Sequence, residues 1–260
     1  MLKNKDLKKI YDKAFLKGEE KHFTSRSRNS EDEDFRLVLK ENNWKGKKVL
    51  DVGCGTGKLL YLLVKKGAIC TGVDFSKEAI KIANKKFKHQ NLSFKELDVS
   101  NEISGKYDAI ISIGTLEHQD KPLLILKQFK KHLNPKGKII ITCPNWTNPR
   151  GFILMTLYYI FNAPITLADL HYLTPKDFEN WAKVLKMDVN WKTFDKSWSH
   201  GKIMIEDLSK RLPKVLKDAK LPHELNRIRN LMTWLDDKVV PLNNDTPISG
   251  ASAMYTFSKK

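Results

Sequence analysis

Three carboxylates stand at or near the ends of short apolar runs: Asp51 in Val49 to Val52, Asp74 after Ile69 to Val73, and Asp98 after an alternating run that starts at Leu92. Asp51 heads a glycine loop, Asp51-Val52-Gly53-Cys54-Gly55-Thr56-Gly57. Glycine at every second position lets the backbone take positive φ and lets a ligand come against bare peptide. Asp74 lies about 20 residues past the loop, at the tip of the second strand, where a carboxylate can accept both hydroxyls of a ribose. Ser76 is an N-cap for the helix that follows, so the competing reading makes Asp74 a local turn residue. Two histidines could move a proton near neutral pH: His118 in Gly114-Thr115-Leu116-Glu117-His118-Gln119-Asp120, and His171 in Leu170-His171-Tyr172-Leu173-Thr174-Pro175. The plainer readings have His118 holding its loop or a cofactor carboxylate and His171 capping a helix. His200, beside Trp198, is a third candidate base.

The elements that must position these groups alternate between strand and helix. Val49–Val52 reads as the first strand, and Leu59, Leu60, Leu62, Leu63 and Val64 then recur at helical spacing. Further strands are expected up to Asp74, over 92–99, over Tyr107–Ile113, and over Gly137–Cys143 after an Asn134-Pro135-Lys136-Gly137 turn. A sixth is expected over Met187–Phe194 and a seventh over Gly250–Phe257. Helices are expected over 77–87 and 35–42. Another spans 1–17, with Leu7, Ile10, Tyr11, Ala14 and Phe15 on one face. The segment 18–34, with His22, Phe23, Arg26 and Arg28, reads as polar and irregular. After the fifth strand comes an apolar stretch, Phe152–Phe161, too short to span a bilayer and suited to a buried or interfacial helix. Thr174 and Pro175 then start a helix. Two amphipathic helices fill 203–219, which contains Pro213, and 224–238, whose Leu225, Ile228, Leu231, Met232 and Leu235 share a face. The whole is an α/β, doubly wound, mostly parallel seven-stranded sheet, with helical insertions after strand 5 and between strands 6 and 7.

The loop is neither G-x-G-x-x-G nor the G-x-x-x-x-G-K-[ST] phosphate loop. Its pattern resembles the class I S-adenosylmethionine-dependent methyltransferases, which have a Rossmann-like fold. The resemblance implies that Asp51, Gly53, Cys54, Gly55, Thr56 and Gly57 wrap the amino-acid end of the cofactor, with Asp51 orienting the loop and the ammonium group. It also implies Asp74 and Phe75 at the ribose, Asp98 and Val99 at the adenine, and Ile113 and Gly114 facing the sulfonium. Leu116-Glu117-His118 resembles the small-molecule branch, while the [Asp/Asn]-Pro-Pro-aromatic motif of nucleic-acid amino-methyltransferases is absent. Thr142-Cys143-Pro144 is only faintly similar to the nucleophile region of cytosine-C5 RNA methyltransferases, whose other motifs are missing. The apolar insert followed by His-aromatic-Leu-Thr-Pro resembles the ubiquinone-biosynthesis O-methyltransferases of the type 11 branch, from about Lys47 to Asn190. In that family the seventh strand runs antiparallel and the connection before it is shorter. The expected layout is a single domain over 1–260, with an N-terminal helical cover over 1–45, an apolar cap insertion over 145–175 and a helical insertion over 197–248.

The 260 residues carry 41% hydrophobic residues and a formal net charge of +17, so one core suffices and nucleic acid enters as a possible partner. Lysines scattered beside acids and few arginines weaken that reading. The single cysteines Cys54, Cys70 and Cys143 indicate neither a disulfide framework nor zinc. No metal constellation stands out, although Glu117 and Asp120 could share a cation. A cytoplasmic location is expected, since no signal-peptide layout or long apolar run is present. The leading expectation is O-methylation of a hydrophobic or aromatic small molecule, with Phe152–Phe161 walling the acceptor and peripheral membrane contact an open alternative. The other readings are an RNA methyltransferase and a catalytically silent methyltransferase-like binding subunit.

Overall fold

The computed structural model of the chain describes residues 4–16, 30–101, 103–166, 169–242 and 246–259. By its internal contacts the chain divides into two compact units. One comprises Met1–Cys143, Leu170–Trp191 and Met254–Lys260, and the other Pro144–Asp169 and Lys192–Ala253.

The first unit is built on a seven-stranded sheet of β1 (Lys48–Val52), β2 (Ile69–Asp74), β3 (Leu92–Glu96), β4 (Tyr107–Ile113), β5 (Leu133–Pro144), β6 (Met187–Phe194) and β7 (Ser252–Lys259). The strand order is β3-β2-β1-β4-β5-β7-β6. β1 pairs parallel with both β2 and β4, so Asp51 faces Gly72 on one side and Ile111 on the other. The strand order reverses beside β1, and the crevice outside the carboxyl ends at such a point is where open α/β sheets bind ligands. Continuous apolar runs make these strands, because a parallel sheet is covered on both faces. Val49, Leu50, Ala109, Ile110, Ile111 and Ile139 to Ile141 are all at most 1% exposed.

Helix α3 (Lys58–Lys65) buries Leu59, Leu60, Leu63 and Val64, while Leu62 turns to a half-buried position. Helix α4 (Lys77–Lys86) starts where expected, with Ser76 Oγ accepting from Ala79 N at 3.2 Å, and α5 (Pro122–Lys131) lies between β4 and β5. Helix α1 (Asn4–Leu16) buries Leu7 and Ala14 and half-buries Tyr11 and Phe15. Its Ile10 is 43% exposed, so the expected five-residue apolar face is narrower by one. Helix α2 (Ser30–Lys40) begins ahead of the expected Phe35. His22, Phe23, Arg26 and Arg28 lie outside the described residues.

Three strand boundaries differ from those expected. The Asn134-Pro135-Lys136-Gly137 turn lies inside β5, where Leu133 pairs with Tyr107 and Lys138 with Ala109 across an irregularity. The extra residues are held as a bulge, with Asn134 Nδ2 donating to Asp108 Oδ1 at 2.8 Å. β3 ends at Glu96, so Asp98 stands two residues beyond the strand instead of at its tip. β7 begins at Ser252, after Gly250.

Helix α7 (Pro175–Leu185) opens with a capping box, in which Asp177 accepts from Thr174 N at 2.8 Å. It places Phe178 on Tyr255, with ring centroids 3.7 Å apart and planes at 14°.

The second unit is helical. Helix α6 (Pro149–Phe161) is capped by Asn148, whose Oδ1 accepts from Gly151 N at 2.8 Å. Asn145 and Asn148 both donate to the Gly250 carbonyl, at 2.7 and 3.1 Å, joining the two segments of the unit. Helices α8 (Ser197–His200), α9 (Lys202–Asp218) and α10 (Leu225–Trp234) complete it, α9 burying Met204, Leu208, Leu212 and Val215. The expected helix over 224–238 changes character at Leu235, where a π-helical turn runs to Val239, and Leu225 is exposed instead of sharing the buried face. No helix among the described residues is long and apolar enough to cross a membrane.

Phe178 is fully buried. Phe178→Ala should lower the unfolding free energy by about 3–5 kcal/mol, read from urea melts followed by circular dichroism. A loss under about 1 kcal/mol would remove the stack from the core.

Candidate cofactor and acceptor site

The three glycines of the loop do different work. Gly53 N and Cys54 N both donate to the Val73 carbonyl, at 2.8 and 3.1 Å, pinning the loop to the end of β2. A Cβ at Gly53 would meet Thr115 Oγ1 at 2.2 Å, and one at Gly57 would meet Phe94 at 2.4 Å. Both positions also have positive φ, +78° and +82°, so packing and conformation require glycine there. Gly55, at φ +50°, has nothing within 4 Å of a Cβ. It is the point at which the loop presents bare backbone to open space. Thr56, between Gly55 and Gly57, is half-buried.

Asp51 is 3% exposed, and its Oδ1 has no hydrogen-bond partner among the described residues. Burial, reinforced by the charge of Asp74, pushes its carboxyl up to about 8. A buried carboxylate oxygen without a partner is costly unless a ligand supplies one. Asp74 is equally buried but fully engaged: Oδ2 accepts from Gly55 N at 2.9 Å and Oδ1 from Ser76 N at 2.8 Å. Burial raises it to about 6, against the lowering effect of those two amides. The local turn role and the ribose role are compatible, because each carboxylate oxygen has a second lone pair. Burial also raises the Cys54 thiol well above its ordinary value and the Cys70 thiol to about 12, which fits packing residues and not nucleophiles.

Asp98 is half-buried and uses Oδ1 to accept from Ser100 N at 2.9 Å and Ser100 Oγ at 2.7 Å. Val99 beside it is buried. At the end of β4, Ile113 is half-buried and Gly114 takes φ +55°, with its amide on the Thr142 carbonyl. The chain then makes one 3₁₀ turn, Leu116–His118. The Glu117 carbonyl accepts from Leu170 N at 3.0 Å and His171 N at 3.1 Å. The two candidate histidines, 53 positions apart, are thus joined through the backbone at the carboxyl end of the sheet, both half-buried. His200 lies in the other unit, where its Nδ1 shares a 2.7 Å hydrogen bond with Ser199 Oγ.

Residues the motif does not mention also shape the site. Thr115 donates its hydroxyl to the Ile113 carbonyl at 3.0 Å and fills the space against Gly53. Tyr11 of α1 sets its ring 5.7 Å from Phe75 and 6.1 Å from His118, and Asp12 accepts from Ser76 Oγ at 2.5 Å. The signal for Tyr11 and Asp12 was only their place on an amphipathic helix, which does not reveal what the helix covers.

S-adenosylmethionine carries a cationic ammonium and sulfonium, a ribose diol and an adenine amino group. The residues present fit it. Asp51 Oδ1 is an unmet acceptor, Gly55 opens onto free space, and the carboxylates of Asp74 and Asp98 retain acceptor capacity.

Comparison with known proteins identifies the family. A family described as a methyltransferase domain matches residues 25–185. A ubiquinone biosynthesis O-methyltransferase of Coxiella burnetii is 31% identical over 156 residues, covering 57% of this chain and 66% of that protein, just under two thirds of its length. Magnesium protoporphyrin IX methyltransferase from Synechocystis, solved with S-adenosylhomocysteine, shares the fold at TM-score 0.55 and 16% identity over 88% of this chain and 81% of that one. The cyclase SpnF matches at TM-score 0.62 and 15% identity over 99% and 96%.

Asp51 and Asp74 both have raised pKa values, so the folded ligand-free protein holds protons that the unfolded chain has released. Their contribution to stability is therefore full below about pH 4 and is lost as pH rises, through about 6 for Asp74 and about 8 for Asp51. Asp51→Asn should flatten the fall in melting temperature between pH 6 and 8.5. An unchanged profile would show that Asp51 is not the titrating group.

Proposed function

The chain belongs to the methyltransferase-domain family, the class I S-adenosylmethionine-dependent methyltransferases, and we propose that it methylates an oxygen of a hydrophobic or aromatic small molecule. The observation that carries this reading is the pair of backbone bonds from Leu170 and His171 to the Glu117 carbonyl, which brings a second histidine to the turn that holds the first. The bound cofactor supplies an electrophilic methyl group for in-line displacement. The chain's tasks are then to hold that cofactor, to exclude water and to take the proton of the accepting hydroxyl. His118 and His171 are the groups assigned to the proton, and imidazole is suited to it near neutral pH. Asp74 is assigned to the ribose, Asp51 to the ammonium and Asp98 to the adenine.

The acceptor class rests on two supports. The curated relatives are named for O-methylation in ubiquinone biosynthesis, at identities near 30%. The helical unit, by itself, exposes Phe152, Tyr159, Ile160 and Phe161, an apolar surface suited to a lipophilic acceptor. A net charge of +17 favours RNA as the second reading.

The test is methyl transfer from labelled cofactor to a panel of lipophilic phenols and to bulk RNA at moderate salt. Label in a phenol is expected, whereas label in RNA alone would overturn the small-molecule assignment. No transfer to any acceptor, with cofactor binding intact, would favour a silent binding subunit.

Two variants probe the assignments. Replacing the histidine that serves as base by Ala should lower turnover by roughly 10²–10⁴ with little change in cofactor affinity, and wild-type turnover in both His118→Ala and His171→Ala would place the base elsewhere. Asp74→Ala should weaken cofactor binding at least about tenfold in calorimetric titration, a loss of one charge-assisted hydrogen bond or more. Unchanged affinity in the folded variant would remove Asp74 from the ribose.

A further inference from the structure

The helical unit contains a cavity of about 200 Å³ that the methyl-transfer reading does not use. Its polar side is a stripe of α9, with Lys210, Arg211 and Lys214 in its lining, and its apolar side is Pro164, Ile165 and Val215. Ile165 and Val215 are 0% and 4% exposed and belong to the packed interior, so the accessible apolar floor is the exposed Pro164.

The arginine in this wall is fixed. Arg211 donates from Nε and Nη2 to Asp207, at 3.1 and 2.9 Å, and from Nη1 to the Ile165 carbonyl at 3.1 Å. Asp207 is also held by Arg150 Nε at 2.7 Å. Burial opposes ionisation of Asp207, but the Arg211 hydrogen bonds and the Arg150 charge outweigh it and hold the carboxyl below its ordinary value. Asp207 is therefore an anion already claimed by two guanidinium groups. Three of the five Arg211 donors are committed, which leaves two N–H groups for a further acceptor.

The charge around the cavity does not balance. The lining carries Lys210, Arg211 and Lys214 against Asp207 and Asp218, three positive groups against two negative. Lys210 and Lys214 form no ion pair with the described residues, although Asp218 lies one turn beyond Lys214 on the same helix. A cavity this size is below the roughly 300–1,000 Å³ of sites for drug-sized ligands, so an occupant must be small.

We propose that this cavity is a binding site for a small organic carboxylate, the anionic group received by Lys210, Lys214 and the spare Arg211 donors and the apolar body lying against Pro164. A planar guanidinium fixed by its own partners is suited to a carboxylate, and charge-assisted hydrogen bonds of this kind are the strong ones. The exposed face of Pro164 separates this ligand from a bare inorganic anion, which would make no use of it.

Fluorine NMR of 4-fluorobenzoate titrated into the 260-residue protein tests the site. Neutral 4-fluorobenzamide serves as the uncharged isostere and inorganic phosphate as the competing anion without an apolar body. Saturable binding of the benzoate is expected, at least about tenfold tighter than the benzamide and at least about tenfold weaker in a Lys210→Gln, Lys214→Gln double variant. The variant's melting temperature, within a few degrees of wild type, establishes that it folds. Three results would overturn the proposal: no saturable benzoate binding, equal binding of the benzamide, or binding that the double variant retains in full. Displacement of the benzoate by phosphate at equal concentration would overturn the carboxylate class, since the apolar floor would then contribute nothing.

Discussion

The Asp74 carboxylate is the joint on which the ligand-facing part of the sheet unit depends. One oxygen takes the Gly55 amide and the other the Ser76 amide, so a single side chain links the apex of the glycine loop to the entrance of α4. Ser76 then caps that helix with its own hydroxyl, which donates in turn to Asp12 of α1. Loop, helix and α1 are thus referred to one buried group. Moving it would disturb all three before any ligand contact was considered. A ribose that approached the same carboxylate would meet acceptors whose directions the two amides have already set.

The parts of this arrangement that were legible in the sequence are those fixed by local chemistry. A β-branched run, alternating glycines and a leucine stripe give strand, loop and helix without help from the rest of the chain, and β4 and β6 fall where periodicity puts them. Ser76 and Thr174 act as caps because short side-chain oxygens reach the first free amides of a helix. What was not legible depends on partners distant in the chain. Asn134-Pro135-Lys136-Gly137 has the composition of a turn, but Asp108 on the neighbouring strand draws it in as a bulge. The alternating run puts Asp98 at the tip of a strand, yet β3 ends two residues earlier, at Glu96, and Asp98 turns its carboxylate onto Ser100. Nothing in the sequence joined His171 to the turn after β4, since the joining groups are backbone atoms of Glu117, Leu170 and His171.

The helical unit follows a different logic. Its two segments are held by asparagine side chains that share the Gly250 carbonyl and by Arg150 and Arg211 meeting on Asp207. Buried polar groups of this sort need every partner in place, because a half-satisfied cluster costs more than an apolar one. That requirement accounts for Gly151, where a Cβ would lie 2.0 Å from the Trp146 carbonyl. It also leaves α6 free to be apolar on faces that do not pack. Its low amphipathic character reflects a helix positioned by its capped N-terminal turn and buried Leu154 and Met155 more than by a single hydrophobic stripe.

The division of labour among Gly53, Gly55 and Gly57 bears on how the loop can change over evolutionary time. At Gly53 and Gly57 a side chain collides with Thr115 or Phe94, so no single replacement is open, and a double replacement that shrinks the neighbour still meets a left-handed backbone. Those two positions are closed to drift by two independent barriers. At Gly55 only the backbone barrier remains, and asparagine or aspartate can cross it at modest cost. Variation among the three glycines therefore has one available doorway, and it opens at the residue whose amide Asp74 holds and whose missing side chain leaves room for a ligand.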